Sequence, residues 1–411
     1  MNRVVVTGMG IVCPLGLSVA EFSERMFRGE SGTVAIRGNL VDSSFPVPHA
    51  GLVDRARVSY HEDPRDVGQG APTRFWQFST LATEEALRDL PESIDFDAIL
   101  YGSAEGLSFE TAVEQLDSFN PETFDWRVTK PETVLDVIQS VLSRRGHSVV
   151  PPVNRISINS ACATGNQAIG TAFQRIQRGE WNRCVVGGVD ARCEPSNLMN
   201  FHMLSALTTA DVPSDTASRP FDRSRTGFVR GEGAATLILE SLESATSRGA
   251  RIYAEVAGYG NTGDAYRMTD GRDDCLSVIR SMEKAIESAG IEKAQIDYIN
   301  AHGTSTPLND RLETKAIKET FGERARRIPV SSLKSQLGHS TVAAGAMESI
   351  ACILMLESQK IAPTINYSVP DPECDLDYVP NKTRAASLTY VLNNNFGFGG
   401  QNACLVFRKW A

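Results

Sequence analysis

Three side chains in this sequence combine reactive chemistry with small neighbours and a place at the edge of a predicted element: Cys162, His302 and His339. Cys162 stands in INSACATGNQAIGTAF, where Ala168, Ile169, Ala172, Phe173 and Ile176 recur at helical spacing and Gly179 offers a stop. That spacing predicts a helix over about 164–178, with the cysteine at or just before its N-terminus. Unpaired backbone donors and the helix dipole there favour thiolate over thiol. Ala161, Ala163 and Gly165 leave room for an approaching group. A buried structural thiol is the ordinary alternative, because free cysteine is among the most buried residue types.

Two histidine motifs shift the balance. YINAHGTSTPLNDRLE sets His302 at a strand end, in a Gly/Ser/Thr/Pro loop that leads into a helix. SSLKSQLGHSTVAAGAMES sets His339 before an alanine-rich helix, five residues after Lys334. In α/β proteins the carboxyl ends of strands and the loops after them are where chemistry is assembled. One such histidine carries little information; two, with a cysteine similarly placed, form a candidate nucleophile–imidazole site. The histidines lack tight metal-ligand spacing and no GxGxxG follows a strand, so neither a metal nor a nucleotide is demanded.

These residues must be positioned by elements that alternate along the chain. Short apolar runs at 3–7, 98–101, 183–187, 235–239, 252–257, 296–300, 387–392 and 403–407 predict strands, many apolar on successive residues as in sheets covered on both faces. Helical periodicity is clearest at 164–178, 276–289, 308–321 and 342–357. The alternation predicts an α/β fold in two halves, 1–250 and 251–411, packed as one body. Segments 41–75 and 117–135 read as insertions or covering loops.

Composition excludes several classes. The 411 residues carry a net charge of −9, which argues against non-specific nucleic-acid binding. No run of 18 apolar residues suggests a membrane span, and the N-terminus lacks the features of a signal peptide, so a cytoplasmic protein is expected. The eight cysteines include no CxxC pair and do not resemble a disulfide framework.

VVVTGMGIVCPLG, SACATG, RPFDRSRTGFVRGEGAA, AHGTSTPLND, LKSQLGH and NNNFGFGGQN follow one another end to end. In that order they resemble the β-ketoacyl-acyl-carrier-protein synthases of the elongating type, condensing enzymes of fatty-acid and polyketide assembly. The resemblance implies a thiolase-like fold: duplicated α/β halves forming a five-layered α-β-α-β-α body, with the nucleophilic cysteine in 1–250 and both catalytic histidines in 251–411. It implies that Cys162 accepts the acyl group, that His302 and His339 bind the extender thioester, and that Lys334 lies near them. Glu313 and Glu348 match an acidic network. Phe398 matches a gating residue whose N–H shares an oxyanion hole with that of Cys162. Thr304 and Thr306 match hydroxyls that touch the phosphopantetheine arm.

The implied reaction is a decarboxylative Claisen condensation: acyl transfer to Cys162, loss of CO2 from malonyl-acyl-carrier protein, and attack of the resulting enolate on the acyl thioester. Paired neutral imidazoles suit the enolate because the step needs hydrogen-bond donors rather than proton-losing acids. A positive Lys334, paired with Glu348 or Glu313, would keep a histidine neutral; a surface cation is its ordinary alternative. The implied partners are an acyl carrier protein, which carries the phosphopantetheine, and a second subunit, a homodimer copy or a chain-length-factor-like partner. The family implies no cofactor bound by the enzyme itself. The loop YGSAEGLSFE, with Glu105, Leu107 and Phe109, matches a region lining the acyl pocket.

Departures from the family pattern stand at Thr226, at Asn166 with Gln167, and at Gln336. They fit a specialised secondary-metabolite enzyme as readily as a housekeeping one. A thiolase would need a second cysteine in a C-terminal CxG loop, where this chain reads NNNFGFGG. A starter-unit condensing enzyme would replace the second histidine by asparagine. A catalytically silent chain-length partner, the non-enzyme reading, would have lost Cys162.

Overall fold

The computed structural model describes residues 1–58, 74–104, 132–151 and 154–410. Its first half contributes strands β1 (Val4–Val12), β2 (Ala98–Ser103), β3 (Arg155–Ile158), β4 (Arg183–Asp190) and β5 (Gly233–Ser241), in the order β3-β2-β4-β5-β1. β2 runs parallel to both β3 and β4, and the β4–β5 and β5–β1 pairs are antiparallel. The second half repeats this layout with β6 (Ala254–Gly263), β7 (Tyr298–Asn300), β8 (Val330–Ser331), β9 (Tyr390–Gly397) and β10 (Gln401–Lys409), in the order β8-β7-β9-β10-β6. Parallel and antiparallel pairs fall at the same places. A short antiparallel contact, Val4–Val6 against Ala254–Val256, joins the two sheets at β1 and β6.

Helices fill three layers around these sheets. α1 (Arg74–Ala86) and α2 (Thr133–Arg144) cover the outer face of the first sheet, and α4 (Leu276–Ser288) and α5 (Pro307–Phe321) cover that of the second. Between the sheets lie α3 (Thr164–Gln177) and α6 (Ala344–Ser358), packed on each other and on strands of both halves. The result is the expected duplicated α-β-α-β-α body. Because both sheet faces are covered, β1 and β5 are buried at all nine positions, which is why their sequences are apolar on consecutive residues.

The four predicted helices appear within two residues of their expected limits, and all eight predicted strands are present. Periodicity did not disclose α1, α2, the helix Val19–Arg28 or the helix Pro195–Met203. In α1 the buried face includes Ser79, Thr80 and Thr83, so polarity does not mark it. β3 is only four residues long and exposed or half-buried throughout. Segment 41–75 is not loop alone: His49–Gly51 forms a strand beside Arg230–Gly231, and α1 begins at Arg74. Segment 117–135 gives way to α2 at Thr133; its residues up to 131, like Glu105, Leu107 and Phe109, lie outside the described residues. Although no run of 18 purely apolar residues was found, Thr341–Ser358 is long and apolar enough to cross a membrane. Of that window 83% is buried inside the protein, as the central position of α6 requires.

Candidate active site

The loop before α3 turns sharply to present Cys162. Ala161 adopts a left-handed conformation (φ 48°), unusual for a residue with a side chain. Thr164 holds the turn: its hydroxyl accepts from the Ser160 N–H at 2.8 Å and donates to the Ala161 carbonyl at 2.7 Å. Cys162 therefore sits immediately before the helix N-cap, Ala163, with its sulfur 3.0 Å from His339 Nε2. The expectation that this position favours thiolate needs correction for the free protein. Cys162 is only 7% exposed, and burial pushes its thiol up to about 11, although Lys334, Arg230 and a hydrogen bond from the Phe398 N–H act in the other direction.

His302 follows β7, and its main chain is tied down by Glu313, the seventh residue of α5. The two carboxylate oxygens accept the His302 N–H at 2.9 Å and the Gly303 N–H at 2.8 Å. Burial lifts the Glu313 carboxyl to about 7 against those two hydrogen bonds. His339 is clamped by its main chain: its N–H donates to the Val229 carbonyl at 2.7 Å, and its carbonyl accepts from the Gly231 N–H at 3.0 Å. The two imidazoles lie edge to face with centroids 5.2 Å apart, Phe228 packing against His339 and Phe396 against His302. Burial, then the charge of Lys334, holds both well below the usual histidine range, so both are neutral at physiological pH.

Of the two carboxylates considered for Lys334, the structure selects Glu348. Nζ and Oε1 are 2.5 Å apart and both side chains are 2% exposed, so the surface alternative fails. Asn395 Nδ2 donates to the other Glu348 oxygen at 2.8 Å. Glu313 instead serves the His302 loop. Phe398 lies half-buried beside Phe201, and the preceding Gly397 packs directly on the Cys162 turn. A Cβ at Gly397 would lie 2.8 Å from the Ser160 carbonyl oxygen and 2.9 Å from the Cys162 nitrogen. Thr304 and Thr306 hydroxyls meet at 2.9 Å, and Thr306 also caps α5. Cys162, His302, His339, Thr304, Thr306, Glu313 and Phe398 all border one cavity of about 310 Å³. The reactive atoms of Cys162, His302 and His339 lie within 4.8 Å of one another, close enough to reach a common cation. Lys334 and Arg230, whose charges act on His339, oppose a dication there, while Asp190 acts the other way.

Several supporting residues escaped sequence reasoning although their motifs were in view. The NNN of NNNFGFGG is a buried network: Asn393 Nδ2 reaches Asn166 Oδ1 at 3.2 Å and the Ser349 hydroxyl at 3.1 Å, and Asn300 donates to Asn393 at 2.9 Å. Asn166, one of the family departures, also donates to the carbonyls of Asn393 and Ala403. Thr226 shares a hydrogen bond with Thr208 at 2.7 Å, and Gln336 donates to the Pro363 carbonyl at 3.1 Å. Arg230 and Asp190, both fully or almost fully buried, lie behind His339. A charged residue inside the run FVRGEGAATLIL was the signal available for Arg230.

Residues 154–245 match the family model described as "Beta-ketoacyl synthase, N-terminal domain", and residues 253–368 match "Beta-ketoacyl synthase, C-terminal domain". The chain is 40% identical over 419 aligned positions to 3-oxoacyl-[acyl-carrier-protein] synthase 2 of Staphylococcus aureus, covering 100% of this chain and 99% of that protein. It superposes with a TM-score of 0.85, at 33% identity and full coverage of both chains, on a chain of AntDE:AntF, a type II polyketide acyl-carrier protein in complex with its ketosynthase bound to the hexaketide. The ishigamide ketosynthase/chain length factor gives 0.84 at 35% identity, again with full coverage of both chains.

Proposed function

The chain belongs to the β-ketoacyl synthase family, and we propose that it extends an acyl chain by two carbons through decarboxylative condensation with malonyl-acyl-carrier protein. The observation that carries this reading is the convergence of one buried thiol and two neutral imidazoles on a single cavity.

In the first half-reaction the Cys162 sulfur attacks the carrier thioester. The thiol proton passes to the departing carrier thiolate, so carrier thiol is released, with His339 Nε2 3.0 Å from the reacting sulfur. The N–H groups of Cys162 and Phe398 hold the tetrahedral oxyanion, a charge that exists only on the way to reaction. In the second, the malonyl carboxylate leaves as CO2 and the bonding pair becomes an enolate. Nε2–H groups of His302 and His339 stabilise its oxygen, and the carbon attacks acyl-Cys162, expelling the Cys162 thiolate, which takes a proton from solvent to restore the thiol. Lys334, balanced by Glu348, keeps the imidazoles uncharged donors; Glu313 holds the His302 loop in place. Thr304 and Thr306 line the cavity where a phosphopantetheine arm would pass. We assign the nucleophile to a half spanning 1–250 and both histidines to a half spanning 251–411, following the repeated strand order.

The partners follow the same reading: an acyl carrier protein, and a second subunit that is a homodimer copy or a chain-length-factor-like chain. β3 supports the second subunit. Among the described residues it lies at the edge of its sheet, paired on one side only, with Ile156 36% exposed, and it ends four residues before Cys162. Eight free, buried cysteines fit the reducing cytoplasm. The test is intact mass spectrometry of carrier protein after incubation with acyl-carrier donors of varied length plus malonyl-carrier protein, with Cys162→Ala beside wild type. A product two carbons longer with wild type alone supports the reading; equal product from Cys162→Ala overturns the nucleophile assignment.

A further inference from the structure

Among the described residues Arg230 is the largest fully buried side chain, and a bare guanidinium is costly to bury. Its contacts show what it serves. Nη2 donates to Asp190 Oδ1 at 2.6 Å; Nη1 donates to the main-chain carbonyl of His339 at 2.9 Å and to the Thr341 hydroxyl at 3.1 Å. Nε reaches Asn197 Oδ1 at 3.5 Å, and the guanidinium lies 5.1 Å from the centre of the Phe201 ring, which borders the cavity. Thr341, itself in a left-handed conformation (φ 31°), donates to the second Asp190 oxygen. Arg192 adds a second guanidinium to Asp190, at 2.9 Å.

We propose that Arg230 is a positioning residue: braced by Asp190, it fixes His339 from behind through the His339 carbonyl and Thr341, and sets its own positive charge beneath the Cys162–His339 pair. The inference rests on the condensing reaction above and adds a residue to it. Arg230 is fully buried, so water does little to screen its charge. Arg192 and Arg230 hold Asp190 well below the usual carboxylate range against its burial, so it stays ionised. The Cys162–His339 pair is faced by Arg230 from the segment before β5, Asp190 from β4, Arg192 after it, and His302 from the β7 loop. Lys334 from its short helix, Glu348 from α6 and Glu313 from α5 add to these among the described residues, and Asp264, Asp270 and Arg272 border the same cavity. Among these, Arg230 bridges the site's charge to the His339 main chain.

The experiment uses full-length Arg230→Met and Arg230→Lys, with two readouts: kcat/KM for condensation, and the pH dependence of Cys162 alkylation by iodoacetamide. Arg230→Met should lower kcat/KM by about 10- to 100-fold, as small displacements of reacting groups do. It should also move the alkylation midpoint about half a unit to one unit up, because a cation that favours thiolate is gone. Arg230→Lys should restore the alkylation profile while condensation stays at least about fivefold down, since an ammonium lacks the planar fork. A folded Arg230→Met variant with an unmoved alkylation profile overturns the proposal, whatever its condensation rate. Should Arg230→Met not fold, Arg230→Lys decides: full condensation overturns it, and a wild-type alkylation profile with reduced condensation supports it. Absent condensation in wild type would sink the functional reading, whereas the alkylation arm, which needs no carrier protein, still tests the charge that Arg230 sets at Cys162.

Discussion

Gly165 of α3 meets Ala346 of α6 so closely that a Cβ at Gly165 would lie 2.3 Å from the Ala346 nitrogen. The reciprocal position is as tight: a Cβ at Gly345 would lie 2.7 Å from the Asn166 nitrogen. This crossing of two central helices fixes the Cys162 turn, at the start of α3, against the segment that carries His339 and Glu348. Gly165→Ala should destabilise by about 3 kcal/mol, the upper end of overpacking, because backbone rather than a flexible side chain stands in the way. Gly249→Ala is the control: φ is 66° but nothing lies within 4 Å, so only about 1–2 kcal/mol of backbone strain is expected. Urea unfolding of the two variants checks the difference.

The Lys334–Glu348 pair predicts an asymmetry. Lys334→Met strands the Glu348 carboxylate with Asn395 alone, and breaking such a pair costs about 3–5 kcal/mol. The double variant Lys334→Met/Glu348→Gln should regain most of that stability without regaining wild-type pH behaviour. Lys334 favours the neutral imidazoles, so its loss raises the histidine pKa values in both variants. The acid limb of the condensation profile should therefore move to higher pH, as a rate–pH series would show.

Glu313 makes a prediction about stability. Its folded carboxyl lies at about 7 against an ordinary 4.5, so between those values the folded protein holds a proton that the unfolded chain has released. Stability contributed by this group therefore falls as pH rises from about 4.5 to about 7 and is level above. Glu313→Gln should remove that slope, visible as a pH-dependent difference in Tm between the variant and wild type. It should also lower condensation, because an amide offers one oxygen where two N–H groups now find two.

Gly397→Ala should act on chemistry more than on folding. The added methyl pushes on the Ser160 carbonyl and the Cys162 nitrogen, one of the two proposed oxyanion donors. Losing one such donor costs about 100- to 1,000-fold in rate. Single-turnover acylation of the protein by an acyl-carrier donor, followed by mass, would show the loss. A variant that acylates at the wild-type rate would remove the Cys162 N–H from that role.

What the sequence determined by itself follows from local rules. Consecutive apolar residues in VVVTGMGIV and ATLILES reported strands covered on both faces, and the 3.6 period after Cys162 reported α3. The ordered motifs carried the likeness to a family, and through it the expected site residues Cys162, His302, His339, Lys334 and Phe398. Tertiary structure decided what depends on neighbours far along the chain. Local spacing pointed to a thiolate at Cys162, but burial among distant elements outweighs the helix N-terminus and keeps the free thiol protonated. Which carboxylate answers Lys334 could not be read from spacing, since Glu348 and Glu313 stand 14 and 21 residues away and only packing of α6 brings the former within 2.5 Å. Arg230 and the asparagines at 393–395 look like ordinary polar residues in one dimension. Their roles exist because burial removes water and leaves each polar atom to find a partner that the fold, not the sequence neighbourhood, supplies.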